Sequence, residues 1–535
     1  MHRLATRPPR PGRVATRLVT ADPATLEAFL EDAAHFPDGR AIGLALPRSE
    51  GEVAAVVRAA DRVLPIGAQS SLTGGGTPRG DVVLATTRLA SILAIASDRV
   101  RVEAGLPLGA LQEALAKTGA CYPPVPTFAG ATVGGITATN AAGAATFKYG
   151  STRDWVEGLT VVLASGQVLD LERGQAQAHP EGWFELDEAG TVRRIPLPTY
   201  RMPDVPKRSA GYFAAPGMDL IDLFIGSEGT LGVITEVTLR LIPATPPTCL
   251  LFIATARDTE ALGLVAALRA ASLETRQRRD PRGIDVAAIE SMDRRCLELL
   301  REEGHDRAQG VTLPPEARVA LLIQLEVGPS ERGRDLYGDI ADAASPRAPD
   351  TPLVRTCRLI ARAGLLEATE IVLPGDRRGA DRLFGIREAV PAAVNSLVGT
   401  AKRRVDPRIE KTAADMIVPF ARFDEMMRTY REGFERRHLD YAIWGHVSDG
   451  NVHPNVIPRS IDDVRAGKAA ILEFGDAAIQ LGGCPLAEHG VGRNDVKQAL
   501  LARLYGETGI EQMRRVKRGL DPGWKLAPGV VFEGP

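Results

Sequence analysis

Two histidines flank a turn-forming sequence in GHVSDGNVHPN, residues 445–455. His446 and His453 lie seven positions apart, and an odd spacing would place them on opposite faces of one unbroken strand. Asp449-Gly450-Asn451 favours a tight reversal, because Gly and Asn accept positive φ angles, and the apolar residues on both sides suit short strands. The pattern predicts a β-hairpin that brings both imidazoles close together near its turn. Pro454 lacks an N–H, so the second strand is expected to be an edge strand or irregular there.

Two neutral imidazoles at one loop are candidate ligands for a divalent metal. Such sites usually add a carboxylate and leave one position open for a substrate. The segment GGCPLAEHGVG, residues 482–492, offers Glu488 beside His489. Glu488 could complete a His-His-Glu set, which would leave His489 to act as a base. The same residues, taken alone, are equally consistent with two unrelated polar loops that carry ordinary surface histidines.

The helices and strands that must position these candidate ligands belong to a long chain whose composition is typical of a globular protein. Its 535 residues predict two or three domains, and 44% hydrophobic and 25% charged residues are typical of a soluble protein. A formal net charge of -2 gives no reason to expect nucleic acid or a membrane surface as a partner. No apolar run is long enough to cross a bilayer. Five scattered cysteines without a CxxC pair indicate a reducing compartment, so a cytoplasmic location is expected.

The first 21 residues are basic, with arginines at positions 3, 7, 10, 13 and 17 and no acid before Asp22. An organellar presequence has a similar composition, but the prolines of RPPRPGR oppose an amphipathic helix. A disordered basic tail is therefore predicted, with a lead-in to residue 36.

From about residue 42 the chain alternates helical and strand patterns. LPRSEGEVAAVVRAADR predicts a capped helix, and VLPIGAQSSLTGGGTP predicts a strand that ends in a glycine-rich turn. One α+β domain is expected to end near the proline-rich residues 243–247, and a second α+β domain to follow. Residues 272–315 are rich in Arg and Glu, which predicts a mainly helical and exposed stretch.

Three segments of the first domain are rich in Gly, Ser and Thr: residues 65–76, 128–143 and 226–236. Successive backbone N–H groups can hold a phosphate where glycine lets the backbone approach it closely. Neither the GxGxxG spacing of the common dinucleotide fold nor GxxxxGK[ST] is present. Each segment alone is also consistent with a plain tight turn.

Six motifs, in order along the chain, resemble a known flavoprotein family. PIGAQSSLTGGG, ATVGGITATNAAG with KYGSTRDWVEGL, and DLFIGSEGTLGVITEVTLRLIP resemble the FAD-binding domain of the vanillyl-alcohol-oxidase and p-cresol-methylhydroxylase (PCMH) superfamily. GHVSDGNVHPN, AEHGVGRNDVK and MRRVKRGLDPGWKLAPGVVF resemble its FAD-linked oxidase branch, which holds D-lactate, glycolate and D-2-hydroxyglutarate dehydrogenases. The resemblance spans most of residues 40–532.

The resemblance implies an α+β fold of several parts. These are a PCMH-type FAD-binding domain at 37–245, an α+β cap domain for the substrate at 246–505, and a C-terminal segment, 506–535, that returns to the FAD domain. It also implies which residues bind FAD. They are Pro65, Gly67, Ser70, Ser71, Leu72, Gly74, Thr132, Gly134, Gly135, Thr139, Asn140, Gly143, Gly150, Arg153, Gly229, Gly232, Val233 and Ile234. Residues 65–80 contain no His or Cys, the usual points of covalent attachment, so dissociable, non-covalent FAD is expected, with Cys121 the one nearby thiol.

For the remaining site residues the resemblance implies a metal-assisted oxidation. His446, His453 and Glu488 match ligands of a divalent ion, usually zinc or manganese, and His489 matches a proton acceptor. Arg387 and Lys411 resemble cations that contact the substrate carboxylate, a role that suits the bidentate geometry of Arg. A D-2-hydroxy acid would lose hydride from C2 to flavin N5 and become the 2-oxo acid.

The partners implied are a small hydroxy acid and a non-NAD electron acceptor, such as a quinone, a cytochrome or an electron-transfer flavoprotein. A homodimer and a peripheral position at the inner face of the membrane are compatible with the family. One alternative is the flavin subunit of a larger, glycolate-oxidase-like complex. Another is an enzyme like alkyl-dihydroxyacetone-phosphate synthase, but that would favour a run of histidines where this chain has GHVSDGN.

Overall fold

The computed structural model describes residues 3–12, 15–124, 128–244, 246–328 and 334–534. The chain divides into two compact units. The first unit holds residues 1–143, 150–244 and 482–535, and the second holds 144–149 and 245–481. The return to the first unit begins at Gly482, earlier than the boundary near 506 expected from sequence. The reason is that the loop after Gly482 already bonds to the first unit, for example through the Leu486 carbonyl and the Ser209 N–H.

Within the described residues, the first unit contains four sheets, with strand orders β2-β3-β5-β4, β10-β9-β13-β7-β6, β1-β11-β12 and β14-β8. In the first of these, β3 and β4 both pair in parallel with β5. The strands are β1 Arg3–Ala5, β2 Val19–Thr20, β3 Arg40–Ala45, β4 Val63–Ile66, β5 Arg79–Ala85, β6 Ile92–Ile95, β7 Arg99–Glu103, β8 Ala120–Cys121, β9 Val156–Val162, β10 Val168–Glu172, β11 Trp183–Glu188, β12 Thr191–Pro196, β13 Val233–Arg240 and β14 Ile242–Pro243.

In the part of the second unit that the structure describes, the strands form one eight-stranded sheet, ordered β18-β15-β17-β16-β21-β22-β19, with β20 also paired to β22. All of its strand pairs are antiparallel. The strands are β15 Thr248–Thr255, β16 Asp285–Met292, β17 Val319–Glu326, β18 Thr369–Val372, β19 Thr412–Ala413, β20 Met416–Ile417, β21 Tyr441–His446 and β22 Asn451–Val456.

Helices α1–α4, α6 and α15 belong to the first unit, and the others to the second. No helix within the described ranges has both the length and the apolar composition needed to span a lipid bilayer. The helices are α1 Pro23–Glu27, α2 Glu50–Ala59, α3 Leu108–Ala116, α4 Val133–Ala138, α5 Thr146–Tyr149, α6 Ile221–Phe224, α7 Asp258–Arg278, α8 Arg294–Glu302, α9 His305–Gln309, α10 Leu336–Ala341, α11 Pro352–Arg362, α12 Arg377–Arg404, α13 Phe423–Glu435, α14 Ile461–Gln480 and α15 Asp495–Leu520.

The predicted capped helix is confirmed as α2. The Ser49 side chain accepts the N–H of Glu52, which satisfies one of the donors left open at a helix N-terminus. Val53, Val56 and Val57 on α2 are buried in a core that also contains residues of β4, β5, β9 and β13. Burial of this apolar stripe is what fixes the helix against the sheets.

The prediction of a disordered N-terminal tail is wrong for residues 3–12. Strand β1 pairs in parallel with β11, and Arg7 contacts both Glu50 (2.8 Å) and Asp170 (2.5 Å). Arg10 forms a further ion pair with Glu236. The basic composition reflects specific acidic partners in the first unit, and Arg13 lies outside the described residues.

The prediction that residues 272–315 are mainly helical and exposed is wrong for their middle part. Strand β16 lies in the interior of the eight-stranded sheet, paired on its two sides with β17 and β21. Its residues are mostly buried, and Met292 belongs to the main core of the second unit, which α8 and α12 also line. The charged helices on either side obscured a short apolar strand pattern.

Helix α8 begins at a partly buried carboxylate, Asp293, whose titration predicts a pH-dependent stability. Asp293 accepts the N–H groups of Cys296 (3.0 Å) and Ile443 (3.0 Å), and burial raises its pKa to about 6. Because the folded state then binds this proton more tightly than the unfolded state, the free energy of unfolding should fall by about 3 kcal/mol between roughly pH 4 and pH 6. Asp293→Asn keeps an acceptor but cannot titrate, so its urea unfolding should lack this part of the pH dependence. Parallel pH profiles for the two proteins would contradict the assignment.

Candidate active site

The predicted hairpin is confirmed, and its register explains why both histidines face the same way. Strands β21 and β22 pair so that Trp444 lies opposite His453 and His446 lies opposite Asn451. Directly opposed residues share a face, and residues two apart on a strand do as well, so His446 and His453 lie on one face. Both are buried, with ring centroids 5.6 Å apart and ring planes at 90°.

Gly450 is required in this turn for two reasons. Its φ is +86°, and a Cβ built there would lie 2.3 Å from the Val418 carbonyl oxygen. Any other L-residue at this position would have a strained backbone, and its Cβ would clash with the segment that follows β20.

Strand β22, which contains Pro454, is not an edge strand. It is flanked by β21 on one side and by β19 and β20 on the other. The neighbouring strand is interrupted between β19 and β20, and Ala414 donates its N–H to the Pro454 carbonyl across this break. Asp415 lies in the same break, with Oδ1 3.6 Å from His453 Nδ1. The prediction that the second strand is an edge strand or irregular at Pro454 is therefore wrong, because β22 pairs with β21 in unbroken register and the interruption lies in the neighbouring strand.

A second carboxylate contacts the other histidine. Glu290 on β16 lies directly opposite His446 on β21, and its Oε1 is 2.7 Å from His446 Nδ1. Its Oε2 accepts a hydrogen bond of 3.2 Å from Nε of Arg387 on α12. The structure therefore joins the predicted site residues His446 and Arg387 through a glutamate that sequence reasoning missed. Lys411, just before β19, carries an exposed side chain.

Glu488 and His489 lie in the first unit, in the loop that precedes α15. Glu488 is buried, and its Oε1 is 2.6 Å from Nζ of Lys207, whose side chain is fully buried. His489 is half-buried. Glu228 accepts the N–H groups of Val491 (2.8 Å) and Gly492 (2.9 Å), which fixes the end of this loop, and burial raises the pKa of Glu228.

The three glycine-rich segments converge within the first unit. A Cβ built on Gly67 would lie 2.1 Å from Oγ1 of Thr132, so the first and second segments touch. The N–H groups of Gly226 and Glu228 bond to the carbonyls of Thr137 (3.0 Å) and Ala138 (2.8 Å), which joins the second and third. Close backbone approach is the property expected of segments that hold a dinucleotide pyrophosphate.

Side chains of these segments are used largely to shape the loops. Ser71 Oγ accepts the N–H groups of Thr73 and Gly75, and Thr132 Oγ1 accepts that of Gly135. Arg153 is half-buried and donates to the side chain and carbonyl of Asp222, while its backbone N–H donates to Asn140 Oδ1. Several others are placed by packing or conformation. Gly74, Gly150 and Gly229 have positive φ angles, and Gly134 and Gly232 pack closely against Ala104 and Val161, respectively. Val233 and Ile234 are buried at the start of β13, and Gly143 is also buried. The side chains of Ser70 and Leu72 are exposed.

Comparison with known proteins identifies the class. Residues 41–172 match a family model described as FAD binding domain, and residues 259–531 match one described as FAD linked oxidases, C-terminal domain. Together these matches define an FAD-dependent oxidoreductase. The chain belongs to the FAD-linked oxidase family, as the resemblance predicted, and the expected α+β fold with a PCMH-type FAD-binding domain is confirmed.

Curated relatives cover nearly the whole chain. It is 30% identical to a D-2-hydroxyglutarate dehydrogenase of Xanthomonas citri pv. viticola, over 97% of this chain and 95% of that protein. It is 28% identical to a D-lactate dehydrogenase of Anaerostipes hadrus (90% and 88%) and 27% identical to the glycolate oxidase subunit GlcD of Bacillus subtilis (91% and 88%). The structure of 4-ethylphenol oxidase from Gulosibacter chungangensis shares the fold, with a TM-score of 0.63 at 16% identity over 98% and 95% of the chains.

Proposed function

We propose that the protein oxidises a D-2-hydroxy acid to the 2-oxo acid with FAD and a divalent metal. The observation that carries this proposal is the buried His446–His453 pair on one sheet face, with Arg387 linked to it through Glu290. A pair of nitrogen donors beside a guanidinium suits a substrate that has a hydroxyl next to a carboxylate. The names of the relatives, which include dehydrogenases of D-lactate and D-2-hydroxyglutarate, support the same substrate class.

The donor set fits zinc or manganese. Glu290 occupies Nδ1 of His446, which leaves Nε2 as the ligand atom, and imidazole with carboxylate suits either ion. Glu488 enters the proposal through its match to the family motif, and its buried side chain lies beside Lys207. When bound, the metal supplies Lewis-acid polarisation of the substrate hydroxyl.

The remaining roles fall to residues of this chain. Arg387 and Lys411 orient the substrate carboxylate, and His489 accepts the hydroxyl proton as general base. FAD, held by the converging segments of the first unit, supplies the hydride acceptor. The electrons then pass to a non-NAD acceptor such as a quinone, a cytochrome or an electron-transfer flavoprotein.

The test is anaerobic mixing of the purified, metal-loaded flavoprotein with a panel of D- and L-2-hydroxy acids while the visible flavin absorbance is followed. One or more D-acids should bleach the flavin, the L-enantiomers should not, and a chelator should abolish the bleaching. A yellow protein that no hydroxy acid bleaches would contradict the proposed chemistry and leave the FAD-binding fold intact.

A second candidate function is that of a flavin subunit that works only within a larger complex, and the similarity to the glycolate oxidase subunit GlcD supports it. The two alternatives differ in the behaviour of the isolated chain. Steady turnover of substrate with an artificial dye, by this protein alone, would argue against dependence on a partner subunit.

Non-covalent FAD makes a separate prediction. Cys121 is only partly buried, in β8, and residues 65–80 contain no His or Cys. Acid precipitation should therefore release all of the flavin into the supernatant, and the apoprotein should regain its colour with added FAD. Flavin that stays in the pellet would contradict this, and Cys121→Ser would then test that thiol as the attachment point.

A further inference from the structure

We propose that Glu290 is a positioning residue that holds His446 and Arg387 in place through one shared, buried carboxylate. The proposal rests on the proposed function, since it concerns a metal ligand and a substrate-binding cation of that site. It assigns a role to a residue in a stretch where the sequence carries no recognisable motif.

The contact follows from the register of the sheet. Glu290 and His446 are directly opposite each other on β16 and β21, so their side chains must leave the sheet on the same face. Glu290 Oε1 lies 2.7 Å from His446 Nδ1, and Oε2 accepts from Arg387 Nε at 3.2 Å. The exposed fractions of the Glu290, His446 and Arg387 side chains are only 5%, 3% and 12%, so water does not compete well for these hydrogen bonds.

For His446, the consequence is a fixed ring. A carboxylate only accepts hydrogen bonds, so the proton of the neutral imidazole belongs on Nδ1 and the lone pair on Nε2. Such a bond also makes Nε2 a stronger donor to a metal, because the carboxylate stabilises positive charge that develops on the ring.

For Arg387, the same carboxylate engages Nε and leaves the two terminal nitrogens to form a planar fork for a second carboxylate. Both contacts depend on one side chain, so a change at Glu290 should affect the metal ligand and the substrate cation together. The second histidine also has a carboxylate nearby, since His453 Nδ1 and Asp415 Oδ1 are 3.6 Å apart.

The test compares two buried glutamates of one sheet. Glu290→Gln keeps the shape but loses the charge, and an amide cannot accept from both His446 and Arg387 as the carboxylate does. Glu326→Gln is the matched control, because Glu326 is equally buried on the adjacent strand β17 but contacts Lys148 and Tyr149. FAD-loaded, metal-free proteins are titrated with zinc in competition with a chromophoric chelator, and urea unfolding is measured for each variant.

Glu290→Gln should raise the Kd for zinc by about 10- to 100-fold, whereas Glu326→Gln should leave it within about twofold even if both lose stability. A second readout needs no metal. In metal-free protein labelled with ¹⁵N-histidine, the His446 signal, assigned by its loss in His446→Ala, should report the Nδ1–H tautomer in the wild type and a mixture in Glu290→Gln.

The outcomes separate this inference from the proposed function. A wild-type protein that binds no zinc contradicts the metal centre itself. A protein that binds zinc, but keeps the wild-type Kd and the wild-type tautomer in Glu290→Gln, contradicts only the role of Glu290.

Discussion

His446→Ala should lower kcat/KM for the D-2-hydroxy acid by about 10³-fold or more, while FAD remains bound. The loss corresponds to several kcal/mol of charge stabilisation that the proposed metal would supply to the reacting hydroxyl. It should come mainly from the absence of the metal, because His446 is one of two buried imidazoles on this sheet face. The measurement is steady-state dye reduction over a range of substrate and zinc or manganese concentrations, with bound metal and bound flavin quantified in the same preparations.

His305→Ala is the matched control. His305 belongs to the same unit, is partly exposed, and has Glu303 3.1 Å away, far along the chain from the hairpin. It should retain wild-type metal content and activity. If His446→Ala retains wild-type activity after treatment with a chelator, metal assistance is wrong and another source of hydroxyl activation is needed. If the variant loses its flavin as well, the comparison must use a milder change such as His446→Gln.

Lys207→Met should cost about 3–5 kcal/mol of the free energy of unfolding. Lys207 and Glu488 form a buried pair, with 0% and 7% of their side chains exposed. In the metal-free protein, removing the cation leaves a buried carboxylate without its counter-charge, which is much more costly than losing an exposed ion pair. Unfolding by urea, followed by tryptophan fluorescence at neutral pH, measures the change.

Two further variants establish the cause. The double variant Lys207→Met/Glu488→Gln removes both charges and should recover a large part of the lost stability, although it should not regain metal-dependent activity. Lys468→Met removes a lysine from an exposed pair with Glu410 and should change stability by less than about 1 kcal/mol. If the double variant is no more stable than Lys207→Met, the ion pair is not the source of the loss.

The local part of the site was readable from the sequence. Turn chemistry at Asp449-Gly450-Asn451 predicted the hairpin, and the hairpin with its two histidines on one face is what the structure contains. The same holds for the cap of α2 and for the glycine-rich segments, since each depends on residues that are close together in the chain. Backbone preferences of Gly, Asn and Ser act over a few residues and therefore leave a local pattern.

The partners of those residues were decided by tertiary structure alone. Glu290 is 156 positions from His446 in the chain, and its strand was hidden between charged helices in a stretch predicted to be exposed. In the sequence, Lys207 and the N-terminal arginines likewise cannot be told from surface cations, and only the folded structure shows their specific carboxylate partners. A single charged residue within a mainly apolar run, as in VAAIESM (residues 286–292), was the available signal for Glu290. Local sequence determined the turns, caps and candidate ligands. Strand register and burial decided which charged side chains form pairs, because register and burial depend on contacts between distant segments that no local sequence pattern encodes.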